Sequence, residues 1–90
     1  MKREEIKDMK KVILLTGASS GIGYQTAESL AKEGNVVYGA ARRIEKMETL
    51  KQFGVKPIYL DVTDEESIKS SIDTIIGNEG RIDVLINNAG

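Results

Sequence analysis

One stretch of this 90-residue chain has residue types and spacing suited to holding an anionic ligand: Thr16-Gly17-Ala18-Ser19-Ser20-Gly21-Ile22-Gly23. Its glycines follow the order G-x-x-x-G-x-G, directly after an apolar run and directly before a segment with helical periodicity. At Gly17 the missing Cβ lets the chain turn sharply off a strand. At Gly21 it lets backbone come close to a pyrophosphate, and at Gly23 it lets the following helix pack tightly on the sheet. Free N–H groups around Ser20 to Ile22 then face an anion with the help of the helix dipole. The hydroxyls of Ser19 and Ser20 can add hydrogen bonds. This is the physics of a dinucleotide site, although three glycines alone also fit an ordinary tight turn between strand and helix. A P-loop is excluded, because Ile22 follows Gly21 and Tyr24 follows Gly23 where Lys and Ser or Thr would be required.

The elements that must position this turn are legible from the apolar pattern. Val12-Ile13-Leu14-Leu15 is a short continuous run, as expected of a strand buried on both faces. Ile22, Thr26, Ala27, Leu30 and Ala31 recur at helical spacing up to Glu33, and Gly34 stops that helix. Val36 to Ala41 reads as a second strand. Ile44, Met47, Leu50 and Phe53 mark one stripe of a short second helix that Gly54 ends. Pro57 opens a third strand, Ile58-Tyr59-Leu60. Thr63 with Glu66 fits a capping box, and Ile68, Ile72, Ile75 and Ile76 are expected to form the buried face of a third helix broken by Gly77 to Gly80. Val84-Leu85-Ile86 is the fourth strand. Strands alternating with helices at short connections predict an α/β, Rossmann-like three-layer half-domain. Its four parallel strands take the order 3-2-1-4, with helices on both faces. The crevice lies where the chain switches sides, at the carboxyl ends of the first and fourth strands. Residues 1–10 are expected to be a solvated charged tail, with one docked turn through Ile6 and Met9 as the alternative, and residues 11–90 the domain.

Composition removes other chemistries. There is no His and no Cys, so Ser-His-Asp catalysis, imidazole or thiolate metal sites and a disulfide framework are excluded, and no metal site is expected. Thirteen Lys plus Arg against fourteen Asp plus Glu give a net charge of −1, which offers no general attraction for nucleic acid. No apolar run approaches the roughly 18 residues of a membrane span, and no targeting signal is visible, so a cytoplasmic location is expected by default.

Three further places carry candidate site residues. A site for NAD wants a carboxylate at the end of the second strand, to accept from the ribose 2′-hydroxyl. Ala41 stands there instead, followed by Arg42 and Arg43, whose guanidinium groups match the 2′-phosphate of NADP. The alternative is a solvated basic turn. Arg42, immediately after the strand, is the better candidate of the two. Asp61 reads equally as a polar residue that turns the chain locally. Asn87 and Asn88, after a buried strand, suit a crevice better than a random turn.

Taken together, TGASSGIG, then Leu60-Asp61-Val62, then Asn87-Asn88-Ala89-Gly90, resemble the short-chain dehydrogenase/reductase family from about Lys11 to Gly90. The resemblance implies a glycine-rich turn on the cofactor pyrophosphate. It implies that Asp61 meets the adenine amino group with Val62 beside the ring, and that Asn88, Ala89 and Gly90 lie along the ribose next to the nicotinamide, with Asn87 bracing the sheet. Arg42 and Arg43 favour NADP over NAD, although in the family some NADP-preferring members carry a second basic residue where Ser20 stands. The VYGAARR strand is similar to those of members acting on steroid-like or other lipophilic alcohols.

The resemblance also implies a catalytic Ser, Tyr and Lys, the last two spaced Y-x-x-x-K. Tyr24, Tyr38 and Tyr59 have Glu28, Arg42 and Thr63 four residues on, so no catalytic residue is assigned here. The expectation is therefore a truncated nucleotide-binding half of an oxidoreductase, inactive by itself. Its fourth strand, with Ile82, Val84, Leu85 and Ile86, would be an exposed edge inviting a homodimer. The competing readings are a self-assembling structural half-domain with little nucleotide affinity, or the ordered part of a longer enzyme.

Overall fold

A computed structural model describes residues 10–88. The charged tail expected for residues 1–10 lies almost wholly outside the described residues, as do Ala89 and Gly90. The chain runs β1 (Val12–Thr16), α1 (Gly21–Lys32), β2 (Val36–Ala41), a 3-10 helix (Ile44–Phe53), β3 (Lys56–Tyr59), α2 (Glu65–Glu79) and β4 (Val84–Asn87). The four strands make one parallel sheet in the order β3-β2-β1-β4. This is the Rossmann-like topology expected from the alternation of elements.

All five residues of β1 are buried, because helices cover both faces of the sheet. On one face Leu15 and Val37 pack with Ala27 of α1, Met47 and Leu50 of the 3-10 helix, and Val55. On the other, Val12, Leu14, Tyr38, Ala40 and Leu60 pack with Ile75 of α2. Alternate β1 residues thus serve opposite cores, as the pleat requires.

Four local expectations are corrected. The second helix is 3-10 along its length, and its stripe of Ile44, Met47, Leu50 and Phe53 has the three-residue period at which 3-10 side chains align. The cap of α2 is Asp64, not Thr63: the Asp64 carboxylate accepts from Glu66 N at 3.0 Å, while Thr63 bonds back to Asp61. The buried stripe of α2 is Ser67, Ser71 and Ile75, with Ile68 and Ile72 half-buried and Ile76 exposed. Small residues let the helix sit close to the sheet, and each hydroxyl finds a partner: Ser71 Oγ donates to Ser67 O, and Ser67 Oγ accepts from Asp61 N. Finally, α2 runs through Gly77 and ends only at Gly80, whose left-handed backbone closes the helix with an N–H bond to Ile76 O. The strand bounds also shift slightly, β3 beginning at Lys56 and β4 reaching Asn87.

The amino ends of the strands are tied by side chains. Val12 N donates to the Asp83 carboxylate and Asp83 N donates to Val12 O, both at 2.8 Å. Tyr38 Oη donates to Glu79 Oε2 at 2.7 Å, and Lys56 Nζ reaches the same oxygen at 3.0 Å. These two donors hold the Glu79 carboxyl below its ordinary range, the tyrosine hydroxyl contributing more than the lysine. A carboxylate with a depressed folded-state value stabilises the fold above its unfolded value and loses that contribution as pH falls below it.

Two outcomes follow from α2. Gly77 is helical and exposed, and a Cβ there would meet nothing within 4 Å. Gly77→Ala should therefore raise stability by about 0.5–1 kcal/mol, read from thermal unfolding. As pH falls below about 4.5, Glu79→Gln should lose less stability than the parent, because it has no carboxylate to protonate.

Candidate nucleotide-binding crevice

The turn after β1 is built by backbone that only glycine adopts readily. Gly17 and Gly21 both have positive φ, in the left-handed region. Gly17 N and Ala18 N both donate to Ala40 O at 2.9 and 3.3 Å, so the turn rests on the end of β2. Gly23 has ordinary helical φ, and its need is for space: a Cβ there would lie 2.0 Å from Gly17 O and 2.6 Å from Asn88 Nδ2. The helix start is therefore pressed against both the turn and the segment after β4. Ser20 is the N-cap residue of α1, yet its side chain makes no cap bond, so the first N–H groups of α1 are not occupied by its hydroxyl.

The turn forms one wall of a cleft of about 590 Å³ at the carboxyl ends of the strands. Gly17, Ser19 and Ser20 line it from the turn after β1 and Ile22 from the start of α1, Ala41 and Arg42 from the end of β2 and the residue after it, Asp61 and Val62 from the segment after β3, and Asn88 from just after β4. Of the residues singled out from the sequence, Gly17, Ser19, Ser20, Ile22, Arg42, Asp61, Val62 and Asn88 line this one crevice. Arg43 does not line it, and Gly21 and Gly23 act behind its surface. Ile22, which the sequence places both on the helical stripe and among the site residues, lines the crevice and is 73% exposed, while Gly23 takes the buried position on α1.

Two polar groups organise the crevice floor. Thr16 Oγ1 donates to Asn87 Oδ1 at 2.8 Å and accepts from Asn88 N at 3.1 Å, joining the end of β1 to the end of β4. Asp61 Oδ1 accepts from Thr63 N at 3.0 Å and from Thr63 Oγ1 at 2.7 Å. These bonds from Thr63, with a smaller contribution from the Arg42 guanidinium, hold the Asp61 carboxyl below its ordinary range. The sequence reading has Thr16 only as the start of the glycine motif and Thr63 only as a helix cap, and it passes over Ser67. Thr63 alone left a signal, since a residue two past an Asp is the spacing of a side-chain turn.

The parts fit a dinucleotide. The cradle at Gly23 admits no Cβ, two left-handed glycines shape the turn, and the helix start without a side-chain cap borders a cleft that Arg42 and Asp61 also line. Fold and crevice together define a doubly wound α/β unit with its opening at the switch point between β1 and β4.

Comparison with known proteins then gives the family. The family model for short chain dehydrogenases matches residues 11–90, and the chain belongs to that family. It is 44% identical over 80 residues to the 3-ketodihydrosphingosine reductase of Bacteroides thetaiotaomicron, covering 89% of this chain and 28% of that protein. It is likewise 44% identical over 87 residues to the NADPH-dependent 1-acyldihydroxyacetone phosphate reductase of Saccharomyces cerevisiae, covering 90% and 29%. Among solved structures, a short-chain dehydrogenase from Streptomyces avermitilis superposes with a TM-score of 0.84 at 44% identity, covering 90% of this chain and 31% of that one. Actinorhodin polyketide ketoreductase, solved with NADPH, gives a TM-score of 0.82 at 38% identity, covering 93% and 34%. The chain thus spans about three-tenths of the length of the curated relatives it matches. The family binds nicotinamide dinucleotides. No helix among the described residues is long and apolar enough to cross a membrane.

The two kinds of glycine should respond differently to substitution. Around Gly21 there is open space for a Cβ. Gly21→Ala should therefore cost only the left-handed strain, about 1–2 kcal/mol. At Gly23 an added Cβ must push backbone aside. Gly23→Ala should cost about 3 kcal/mol or more in urea unfolding.

Proposed function

We propose that this chain is the NADP(H)-binding unit of a short-chain dehydrogenase/reductase. The observation that carries the reading is the pairing of Arg42 with the glycine turn: both line one crevice, and the end of β2 offers a guanidinium where an NAD site would need a carboxylate. In this reading the N–H groups at the start of α1, with Ser19 and Ser20, hold the pyrophosphate, and Arg42 holds the 2′-phosphate. Asp61 accepts from the adenine amino group with Val62 against the ring, and Asn88, with Ala89 and Gly90, follows the ribose toward the nicotinamide. Arg43 lies outside the crevice and contributes only to the general field. When bound, the cofactor carries the hydride. The two curated relatives above are by name reductases of 3-ketodihydrosphingosine and of 1-acyldihydroxyacetone phosphate, and we propose a lipophilic carbonyl or alcohol as the substrate class of the enzyme containing such a unit.

Titration with NADPH, NADH and adenosine 2′,5′-bisphosphate tests this. Saturable binding that prefers the 2′-phosphate is expected. Arg42→Ala should remove that preference, an effect of about 10- to 100-fold for a charged hydrogen-bonded group, while Arg43→Ala changes it little. Because none of the three tyrosines here heads a Y-x-x-x-K pair, the 90-residue chain alone should bind cofactor without oxidising it when carbonyls are supplied. Equal affinity for NADH and NADPH would defeat the assignment.

A second reading is favoured by a different observation. Among the described residues β4 pairs only with β1, and its Leu85 is 64% exposed beside an apolar groove that Leu14, Ile68 and Ile72 also line. We propose that two copies of this chain associate through this edge. A concentration-dependent dimer in sedimentation, weakened by Leu85→Lys, is the expected result; a monomer at all concentrations would refute it.

A further inference from the structure

Asp61 follows β3 in a segment without repetitive structure, where an exposed carboxylate would ordinarily sample several rotamers. Four hydrogen bonds instead converge on this residue. Its Oδ1 accepts both Thr63 N and Thr63 Oγ1, its N–H donates to Ser67 Oγ at 2.9 Å, and its carbonyl accepts from Asp64 N at 3.0 Å. Ser67 is buried at the start of α2, and Asp64 caps that helix, so the aspartate is anchored to a rigid element. Both donors of Thr63 reach one oxygen, which leaves Oδ2 to meet a ligand in the crevice that Asp61 and Val62 line together.

We propose that Thr63 is a positioning residue for base recognition: its hydroxyl and N–H clamp Asp61 Oδ1 and so aim Oδ2 at the exocyclic amino group of an adenine lying against Val62. The inference rests on the dinucleotide reading above and adds to it the residue that sets base selectivity. A pre-oriented acceptor loses less rotamer freedom when the ligand binds than a free one does. An ionised carboxylate only accepts, so it suits the adenine amino group and repels the carbonyl oxygen that hypoxanthine carries at the same position. The bonds from Thr63 favour the ionised form, and Arg42 is the cation that adds to this. The two readings of Asp61, local turn and ligand group, are then one arrangement.

The experiment measures the affinity of the chain for NADPH and for its hypoxanthine counterpart, together with the carboxyl titration of Asp61 by NMR. The unmodified chain should prefer adenine. Thr63→Val should reduce that preference about five- to tenfold and raise the Asp61 carboxyl pKa, and Thr63→Ser should restore both. The preference for the 2′-phosphate should not move in either variant. Asp61→Asn supplies a test that leaves the clamp in place. Thr63's two donors demand the amide oxygen, so the amide N–H₂ faces the crevice and selectivity should invert toward hypoxanthine. Adding Thr63→Val to Asp61→Asn removes the hydroxyl donor and keeps the backbone N–H, so it should weaken the inversion. Binding with a base ratio unmoved by Thr63→Val, or an Asp61→Asn variant that still prefers adenine, overturns this inference alone. Absence of any saturable nucleotide binding overturns the proposed function and this inference with it.

Discussion

The crevice depends on how closely α1 approaches the end of β1. At Gly23 the helix backbone comes so near that an added Cβ would stand 2.0 Å from Gly17 O, a separation no side chain survives. That contact does more than pack a helix. It puts the amino end of α1 over the carboxyl end of β1, where N–H groups without intrahelical partners can face an anion. The same absent Cβ would also strike Asn88, so the residue after β4 is seated on the helix start. Thr16 completes the arrangement from below, its hydroxyl bonded to Asn87 and Asn88. Turn, helix and fourth strand therefore hold one another in place.

The sheet divides its work between its two ends. At the amino ends, Asp83 joins β4 to β1, and the Tyr38–Glu79–Lys56 cluster joins α2 to β2 and β3. The lysine–glutamate pair is partly exposed and alone would contribute little. Tyr38 is buried, and its hydroxyl gives that cluster a short charged hydrogen bond sheltered from water. At the carboxyl ends the side chains are instead turned into an open cleft. Tight closure at one end frees the other to present polar groups to a ligand.

What the sequence made legible follows from which forces were local. The apolar run of β1, the glycine spacing and the strand–helix alternation each dictate structure within a few residues, and the topology and converging site residues follow from them. What stayed hidden was decided by partners distant in sequence. Nothing near Ser67 or Ser71 marks them as buried; they are so because the sheet lies beneath α2 and Asp61 N needs an acceptor. Ile76 looks like core by spacing, but the small-residue stripe turns the helix so that Ile75 points inward. Asp64 took the cap from Thr63 because Thr63 was engaged by Asp61. Ile22 followed the helical period yet faces the crevice, since Gly23 occupies the slot against β1.

Register sets the ligand chemistry. β2 and β3 pair with Ala41 opposite Tyr59, so Arg42 and Asp61 leave adjacent strands within a residue of each other and enter the same cleft. A slip of one residue would carry either side chain to the other face of the sheet. The cation and the carboxylate are therefore held side by side by the backbone ladder, close enough for Arg42 to favour the ionised Asp61. Thr63 meanwhile binds Asp61 Oδ1 with two donors, so the carboxylate is held by its own segment. The placement of these two charges at one end of the cleft thus rests on one strand register.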